Sequence, residues 1–206
     1  MRLRTVPTHT HPKKLDMTPK ILAFSGSARN ESYNRRALDH AVAGARNAGA
    51  EVTLIQLREF SLPIYDGDLE AQAGLPAGAL ELKGLFKTHQ GLLIASPEYN
   101  SSFSALLKNT LDWVSRAHEG ESGLVPYRNK VAALVAASPG GLGGARGLRQ
   151  LREILAVLGV LVLPRQHTIP HADQDLLAGQ ESPRHVDALM GVGAELAQAC
   201  RKWNTP

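Results

Sequence analysis

The sequence predicts an α/β protein, a doubly wound five-stranded parallel sheet with helices on both faces. Three observations predict it. Five short apolar runs alternate with five segments of 3.6-residue hydrophobic period, the pattern of strands joined by crossover helices. One run, Val131 to Ala137, is apolar without interruption, as in a strand buried on both faces of a parallel sheet. The runs at Phe24, Ala95 and Ala137 stop abruptly in loops rich in Ser, Gly or Pro that lead into helical patterns. Open parallel sheets bind ligands at such places, outside the carboxyl ends of strands.

The first, central strand is Ile21-Leu22-Ala23-Phe24, which ends at Ser25-Gly26-Ser27. The helix after it is expected over about Tyr33 to Asn47, with Ala37, Leu38, Ala41, Val42 and Ala45 inward and Gly49 as its stop. Glu51 to Leu57 places Val52, Leu54 and Leu57 as a second strand. Phe60 to Gly74 holds Pro63, Tyr65, Asp66 and Gly67 and reads as a long loop, a class that is often functional. A helix from about Ala77 to His89 leads to the third strand, Leu92 to Ala95. Pro97 ends that strand, because proline cannot donate to a ladder.

A polar loop, Glu98 to Ser102, follows. A helix then presents Phe103, Leu106, Leu107, Thr110, Leu111 and Val114 on one face, with Ser101 or Ser102 as its cap. His118 to Pro126 is another loop, and Val131 to Ala137 the fourth strand. The fourth helix lies between Gly143 and Gly159, with Leu148, Leu151, Leu155 and Leu158 on one stripe. Val160 to Leu163 is the fifth strand and Asp173 to Gln180 a polar connection. The last helix starts at Ser182-Pro183 and turns Val186, Leu189, Met190, Gly193, Leu196, Ala197 and Cys200 inward. Right-handed crossovers then wind the strands into one sheet.

A chain of 206 residues with 43% apolar and 20% charged residues is expected to form one globular domain, over residues 19–206. Its net charge of +4 invites a nucleic-acid reading. Arg2, Arg4, Lys13 and Lys14 against Asp16 place +3 of that charge in residues 1–18, which leaves +1 for the rest. The domain therefore has no basic footprint, and residues 1–18 read as a flexible basic extension, with Met17 as an alternative start. No apolar run approaches a membrane span, the tail lacks the apolar core of a secretory signal, and a single Cys excludes an intrachain disulfide. A cytoplasmic protein with no nucleic-acid or membrane partner is expected.

Three loops carry the chemistry. The first, Ser25 to Asn34, joins a strand to a helix N-terminus, where free N–H groups and the helix dipole favour a phosphate. Gly26 allows close approach, Ser27, Ser32 and Asn34 offer short donors, and Arg29 offers charge; a capped helix with a solvated Arg is the structural alternative. No Gly-Lys-Ser/Thr follows, so this is not a nucleoside-triphosphate loop. The second loop, Ser96 to Ser102, offers backbone groups and the flat surfaces of Pro97 and Tyr99. The third, Ser138-Pro139-Gly140-Gly141-Leu142-Gly143-Gly144, allows main chain to approach a ligand. It breaks the dinucleotide fingerprint at Arg146. The eight His lack metal-ligand spacing, and there is no G-x-S-x-G elbow.

These loops, Gly26 to Asn34, Ser96-Pro-Glu-Tyr-Asn100 with Leu107-Lys108-Asn109 and Asp112-Trp113, and Ala137 to Arg146, resemble the NADPH-dependent FMN reductase family, from about Lys20 to about Pro170. The resemblance implies a flavodoxin-like strand order 2-1-3-4-5. It implies FMN and NADPH or NADH as cofactors, with hydride passing from the nicotinamide to flavin N5 and on to a small-molecule acceptor: a quinone, azo compound, metal oxyanion or free flavin. No protein acid or base is required at that step. It places the FMN phosphate in the first loop, the isoalloxazine against Pro97, Glu98, Tyr99 and Asn100, and Ser138 to Gly143 beside the flavin. Glu98 is alternatively a surface carboxylate whose backbone alone matters. Lys108, Asn109, Asp112 and Trp113 look structural, and Arg146 and Arg149 are either a site for the extra phosphate of NADPH or a solvated face. A homodimer or homotetramer is implied, with the loop from Phe60 to Gly74 as a candidate cover for a neighbouring site. A flavodoxin-like dehydrogenase of a dedicated metabolite and a non-enzymatic flavin electron carrier or sensor are the alternatives.

Overall fold

A computed structural model describes residues 18–203; the expected basic extension, up to residue 17, lies outside the described residues. In chain order the elements are β1 (Lys20–Ser25), α1 (Tyr33–Asn47), β2 (Glu51–Gln56), α2 (Gly67–Ala73), α3 (Ala77–Thr88), β3 (Gly91–Ala95), β4 (Glu98–Tyr99), β5 (Ser102–Phe103), α4 (Ala105–Val114), β6 (Val131–Ala137), α5 (Ala145–Val157), β7 (Leu161–Ile169), α6 (Ala172–Asp175) and α7 (Pro183–Trp203). The main sheet runs β2-β1-β3-β6-β7 and every pairing in it is parallel. With the short β4–β5 hairpin set aside, this is the flavodoxin-like order 2-1-3-4-5.

Side-chain alternation along the strands splits the core into two layers. Ile21, Ala23, Leu93, Ala95, Val131 and Val135 pack under α1 and α7. Leu22, Phe24, Leu92, Ile94, Ala132 and Leu134 pack under α3, α4 and α5. Each large apolar side chain buried this way contributes about 1.5–3 kcal/mol. Helices α1 and α7 meet backbone to backbone. A Cβ on Gly193 would lie 1.8 Å from the Ala41 carbonyl oxygen, and one on Gly44 would lie 2.0 Å from that of Met190.

Four expectations are corrected. The segment from Phe60 to Gly74 is not all loop, because Asp66 caps α2 by accepting from the N–H groups of Asp68 (2.8 Å) and Leu69 (3.4 Å). The fifth strand passes Leu163 and Pro164 to Ile169; a register shift near Ala132 and an edge position accommodate the proline. The polar connection contains the single turn α6. Helix α4 begins at Ala105, capped by Ser104 rather than Ser101 or Ser102, and Phe103 belongs to β5. Its actual cap reaches Leu107 N–H with Oγ at 3.2 Å.

Candidate functional site

A shallow cleft opens at the carboxyl ends of β1, β3 and β6, the place where open parallel sheets take their ligands. It brings together Ser27, Arg29, Ser32 and Asn34 from the first loop, Pro97, Glu98 and Tyr99 from the second, and Ser138 and Pro139 from the third. Tyr33 and Ala137 also line it and were not singled out from the sequence. Their signal was position alone: each lies within a quoted motif at the end of an element. Ser25, Gly26, Asn100, Gly140, Gly141 and Gly143 are not among the residues that form its wall.

The first loop is built around the start of α1. Ser32 takes extended φ/ψ and its Oγ accepts from Arg35 N–H at 3.4 Å, so the first turn of α1 faces the cleft with its dipole. Ser25 Oγ accepts from Ser27 N–H at 3.2 Å, and Ser27 Oγ from Arg29 N–H at 3.4 Å. Among the described residues, the Arg29 guanidinium carries no hydrogen bond or ion pair, and it lines the cleft. Two residues play other parts than expected. Gly26 permits a close approach to protein: a Cβ there would lie 2.9 Å from Ser104 Oγ, which donates to the Gly26 carbonyl at 2.6 Å. Asn34 is buried, and its amide donates to the Ala137 carbonyl (2.8 Å) and accepts from Ala137 N–H (3.0 Å), which ties α1 to the end of β6.

The second loop is a hairpin. Glu98 and Tyr99 pair with Phe103 and Ser102, and Asn100 and Ser101 turn between them with φ of 50° and 65°. Two positive φ values match the tight turn that follows strand twist, and Asn adopts them readily. Asn100 is thereby placed at the tip. The Glu98 carboxylate turns away toward α5. Its Oε2 accepts from the N–H groups of Arg146 and Gly147 at 3.0 Å each, and Oε1 accepts from Arg146 Nε at 2.7 Å. Gly144, at the start of α5, has no side chain with which to cap it, so Glu98 serves from the neighbouring loop. Burial would raise the Glu98 pKa, but the bonds from Gly147 and Arg146 together outweigh it and hold it below its ordinary value. The Glu98 side chain is therefore bonded to α5 rather than solvated, while Glu98 still lines the cleft. Arg146 is committed to Glu98, while Arg149 is exposed.

In the third loop Ser138 is held from both sides: its N–H donates to Ile169 at 3.0 Å, and its carbonyl accepts from Ala172 N–H at 3.1 Å. Gly140 and Gly141 have open space where a Cβ would stand; the nearest atoms are Ser138 Oγ at 3.6 Å and His171 Nε2 at 4.0 Å. Gly143 differs. It has φ +58°, is buried, and a Cβ would lie 2.6 Å from Pro170 N, so packing rather than a ligand demands glycine there.

Two of the four residues read as structural on α4, Asn109 and Trp113, hold a neighbouring segment. Asn109 Nδ2 and Trp113 Nε1 both donate to the Pro63 carbonyl at 2.8 Å, and Asn109 Oδ1 accepts from Tyr65 N–H at 2.8 Å. Tyr65 stands edge-on to Trp113 at 5.1 Å. Among the described residues, the Asp112 side chain bonds along its own helix, to Lys108 at 2.6 Å. Among the described residues, no group of His, Cys, Asp and Glu is disposed to hold a metal.

The donor set fits a phosphorylated, flat heteroaromatic group. An uncommitted guanidinium and a capped helix N-terminus suit a phosphate. Pro97, Pro139 and the half-exposed Tyr99 supply flat apolar surface, and the bare main chain at Gly140-Gly141 leaves space beside it. Fold and site together define a flavodoxin-like protein whose cleft lies at the switch point of the sheet. The chain belongs to the NADPH-dependent FMN reductase family, whose sequence profile matches residues 19–174.

Among curated proteins it is similar to an NAD(P)H-dependent FMN reductase of Pseudomonas aeruginosa, 36% identical over 121 residues, 59% of this chain and 60% of the relative. A 2-hydroxy-1,4-benzoquinone reductase of a Burkholderia species is 32% identical over 126 residues, 61% of this chain and 64% of the relative. The matches thus span about three fifths of the length of these relatives. Among solved structures, the flavoenzyme NAD(P)H:(acceptor) oxidoreductase FerB of Paracoccus denitrificans superposes with TM-score 0.70 at 25% identity, over 90% of this chain and 97% of that one. An NADH:FMN oxidoreductase at 21% identity and TM-score 0.65, over 88% of this chain and 90% of that one, shares the fold.

Proposed function

We propose that this protein is an FMN-dependent NAD(P)H oxidoreductase that passes electrons from a nicotinamide to a small-molecule acceptor of the quinone class. The observation that carries the reading is the junction of three loops at one cleft, with an uncommitted Arg29 and the α1 N-terminus at one end and Pro97, Tyr99 and Pro139 as flat surface. Family membership supports it. So do the names of the relatives, which describe FMN and quinone reductases.

FMN, when bound, supplies the redox chemistry, taking a hydride and returning two electrons. The chain's own residues do the rest. Ser27, Arg29, Ser32 and the first turn of α1 hold the phosphate; Pro97 and Tyr99 form a wall for the ring. Asn34, Glu98 and Gly143 lock the loops to one another and to the sheet, so that the cleft is set before a ligand arrives. Azo compounds, metal oxyanions and free flavin are further acceptors within this reading.

We further propose a homodimer or homotetramer. Ile64 (78% exposed), Leu124 and Leu142 are large apolar side chains left open to solvent. The pinned segment from Pro63 to Tyr65 presents Ile64. A monomeric mass by light scattering would count against this part. Among the described residues no helix is long and apolar enough to cross a membrane. A cytoplasmic location is part of the proposal, supported by a single buried cysteine whose thiol burial pushes up to about 12, and cell fractionation tests it.

Anaerobic mixing of FMN-loaded protein with excess NADPH, and separately NADH, tests the activity. Bleaching of the visible flavin absorbance is expected with at least one of them. Bound FMN that neither nicotinamide bleaches would overturn the reading in favour of a dedicated dehydrogenase or a carrier.

A further inference from the structure

The hairpin β4–β5 has two pairs, and a hairpin that short is not stable on its own. Its pose is set by what it is tied to, and one face of α5 supplies the ties. Gln150 lies four residues after Arg146 and three after Gly147, so the three share that face. Glu98, at the base of the hairpin, accepts from Arg146 and from the Gly147 N–H. Gly147 lets the helix lie against the returning strand: a Cβ there would stand 3.3 Å from the Ser102 carbonyl oxygen and 3.4 Å from Phe103 N. At the tip, both halves of one amide are used. Gln150 Nε2 donates to the Ser101 carbonyl at 2.8 Å, and Gln150 Oε1 accepts from Ser102 Oγ at 2.7 Å. A carbonyl needs a donor, so the amide takes this orientation and not the flipped one.

Ser101 is the place in the hairpin that needs holding. Its φ of 65° lies in the left-handed region, which is strained for a side chain other than Gly, Asn or Asp. Such a turn persists only where its surroundings over-determine it, and the Gln150 amide grips the strained residue and the one after it. Two residues before Ser101 is Tyr99, which lines the cleft; Gln150 itself does not. We propose that Gln150 is a positioning residue: by clamping the Ser101 carbonyl it keeps the left-handed turn closed and so fixes Tyr99 as a wall for the flavin ring. This rests on the reading of the protein as an FMN-dependent reductase.

The test is rapid anaerobic mixing of FMN-loaded protein with excess NADPH, and separately NADH, together with absorption and fluorescence spectra of the bound FMN. A small misplacement beside reacting groups costs much rate, so Gln150→Ala should slow flavin bleaching about tenfold or more. Its bound FMN should show a shifted visible spectrum. FMN affinity should stay within about threefold of wild type, because Glu98 still holds the base of the hairpin. Gln150→Glu keeps an acceptor for Ser102 Oγ but sets a carboxylate against the Ser101 carbonyl, so it should slow bleaching as far, and it replaces the alanine variant should that one not fold. Ser101→Gly gives the turn the Asn-Gly pair that two-residue hairpins favour. Added to Gln150→Ala, it should bring the spectrum back and the rate to within about threefold of wild type.

A Gln150→Ala protein that matches wild type in bleaching and spectrum overturns the proposal. So does a slowing that Ser101→Gly does not repair. A slowing accompanied by an FMN affinity about tenfold lower shows a merely structural contact and also overturns it. The two readings fail separately. Wild-type FMN that neither nicotinamide bleaches sinks the reductase, and the spectra of the variants still decide the clamp. Wild-type bleaching that every variant keeps sinks only the clamp. Failure of the wild type to bind FMN sinks both.

Discussion

Replacing Glu98 separates its two possible parts, ring contact and loop lock. Its side chain is 7% exposed, and one oxygen takes two N–H groups at the start of α5 while the other takes the Arg146 guanidinium. In Glu98→Ala, loss of the capping bonds should cost about 1 kcal/mol. The Arg146 side chain is 56% exposed, so solvent screens that ion pair and its loss adds about 1 kcal/mol at most. The total of about 2 kcal/mol corresponds to a melting point lower by roughly 4–8 °C in a chain of this size. Glu98→Gln keeps an oxygen for the two N–H groups and loses only the charge at the helix terminus, so it should cost about half as much.

The pH dependence gives a second readout. The folded pKa of Glu98 lies below its ordinary 4.5, because bonds from Gly147 and Arg146 outweigh the effect of burial. The ionised form is therefore favoured by folding. The advantage of wild type over Glu98→Gln should be full above about pH 4.5 and vanish as pH falls through the folded pKa. Because the hairpin carries Pro97 and Tyr99, its release from α5 should also weaken FMN binding about tenfold in Glu98→Ala. Thermal melts at neutral and acid pH, with flavin fluorescence titrations, check all three. A Glu98→Ala protein that melts within about 1 °C of wild type and binds FMN equally well would refute the lock.

Arg29→Ala should lower FMN affinity about tenfold or more while leaving riboflavin affinity and the melting point unchanged, since its guanidinium has no bond to the described residues. Asn34→Ala orphans the buried N–H and carbonyl of Ala137 and should destabilise by about 2–3 kcal/mol in chemical denaturation. Gly143→Ala should destabilise by about 2 kcal/mol or more through its positive φ and the clash with Pro170, whereas Gly140→Ala should fold normally and show its effect only in flavin titration. His167, on β7, meets α7 with Nε2 2.9 Å from His185 Nδ1; burial, then His185, Arg165 and Arg184, lower its pKa to about 4, while Asp175 faces His185. Folding disfavours its protonation, so stability should decline as pH falls from about 6.5 to about 4, and His167→Phe should flatten that decline in melts across the range.

The sheet was legible because burial on two faces leaves a plain mark: uninterrupted apolar runs at Ile21, Leu92 and Val131, each followed by a helical stripe. What escaped was set by context. Pro164 reads as a strand end, and only an edge position with a register shift lets β7 continue through it. Two-residue strands are too short to alternate, so the hairpin at Glu98 read as loop; three serines near the start of α4 all look like caps, and the fold uses the one that also reaches Gly26. Asp66 before Gly67 was the one available sign of α2, a local cap signal without an apolar stripe behind it.

The site was legible as three loops, but residue roles within them were not, and the reason is physical. A motif residue can be required because it touches the ligand or because it fixes the loop that does, and both requirements look alike in a sequence. Asn34, Glu98 and Gly143 sit inside the three motifs, one in each, and each spends its bonding or its missing Cβ on protein: Ala137, α5 and Pro170. Arg29, Pro97 and Tyr99 line the cleft with side chains that, among the described residues, make no hydrogen bond to protein. This division is what a planar redox group would need. A cleft that must hold a ring against a second stacked reactant gains little from side chains that adapt, and more from loops locked to a rigid sheet. It follows that the locking residues should be separable from the facing ones by experiment. Asn34→Ala and Glu98→Ala should lower stability and flavin affinity together, whereas Arg29→Ala should lower flavin affinity alone; a facing residue that moved the melting point as far as a locking one would undo the distinction.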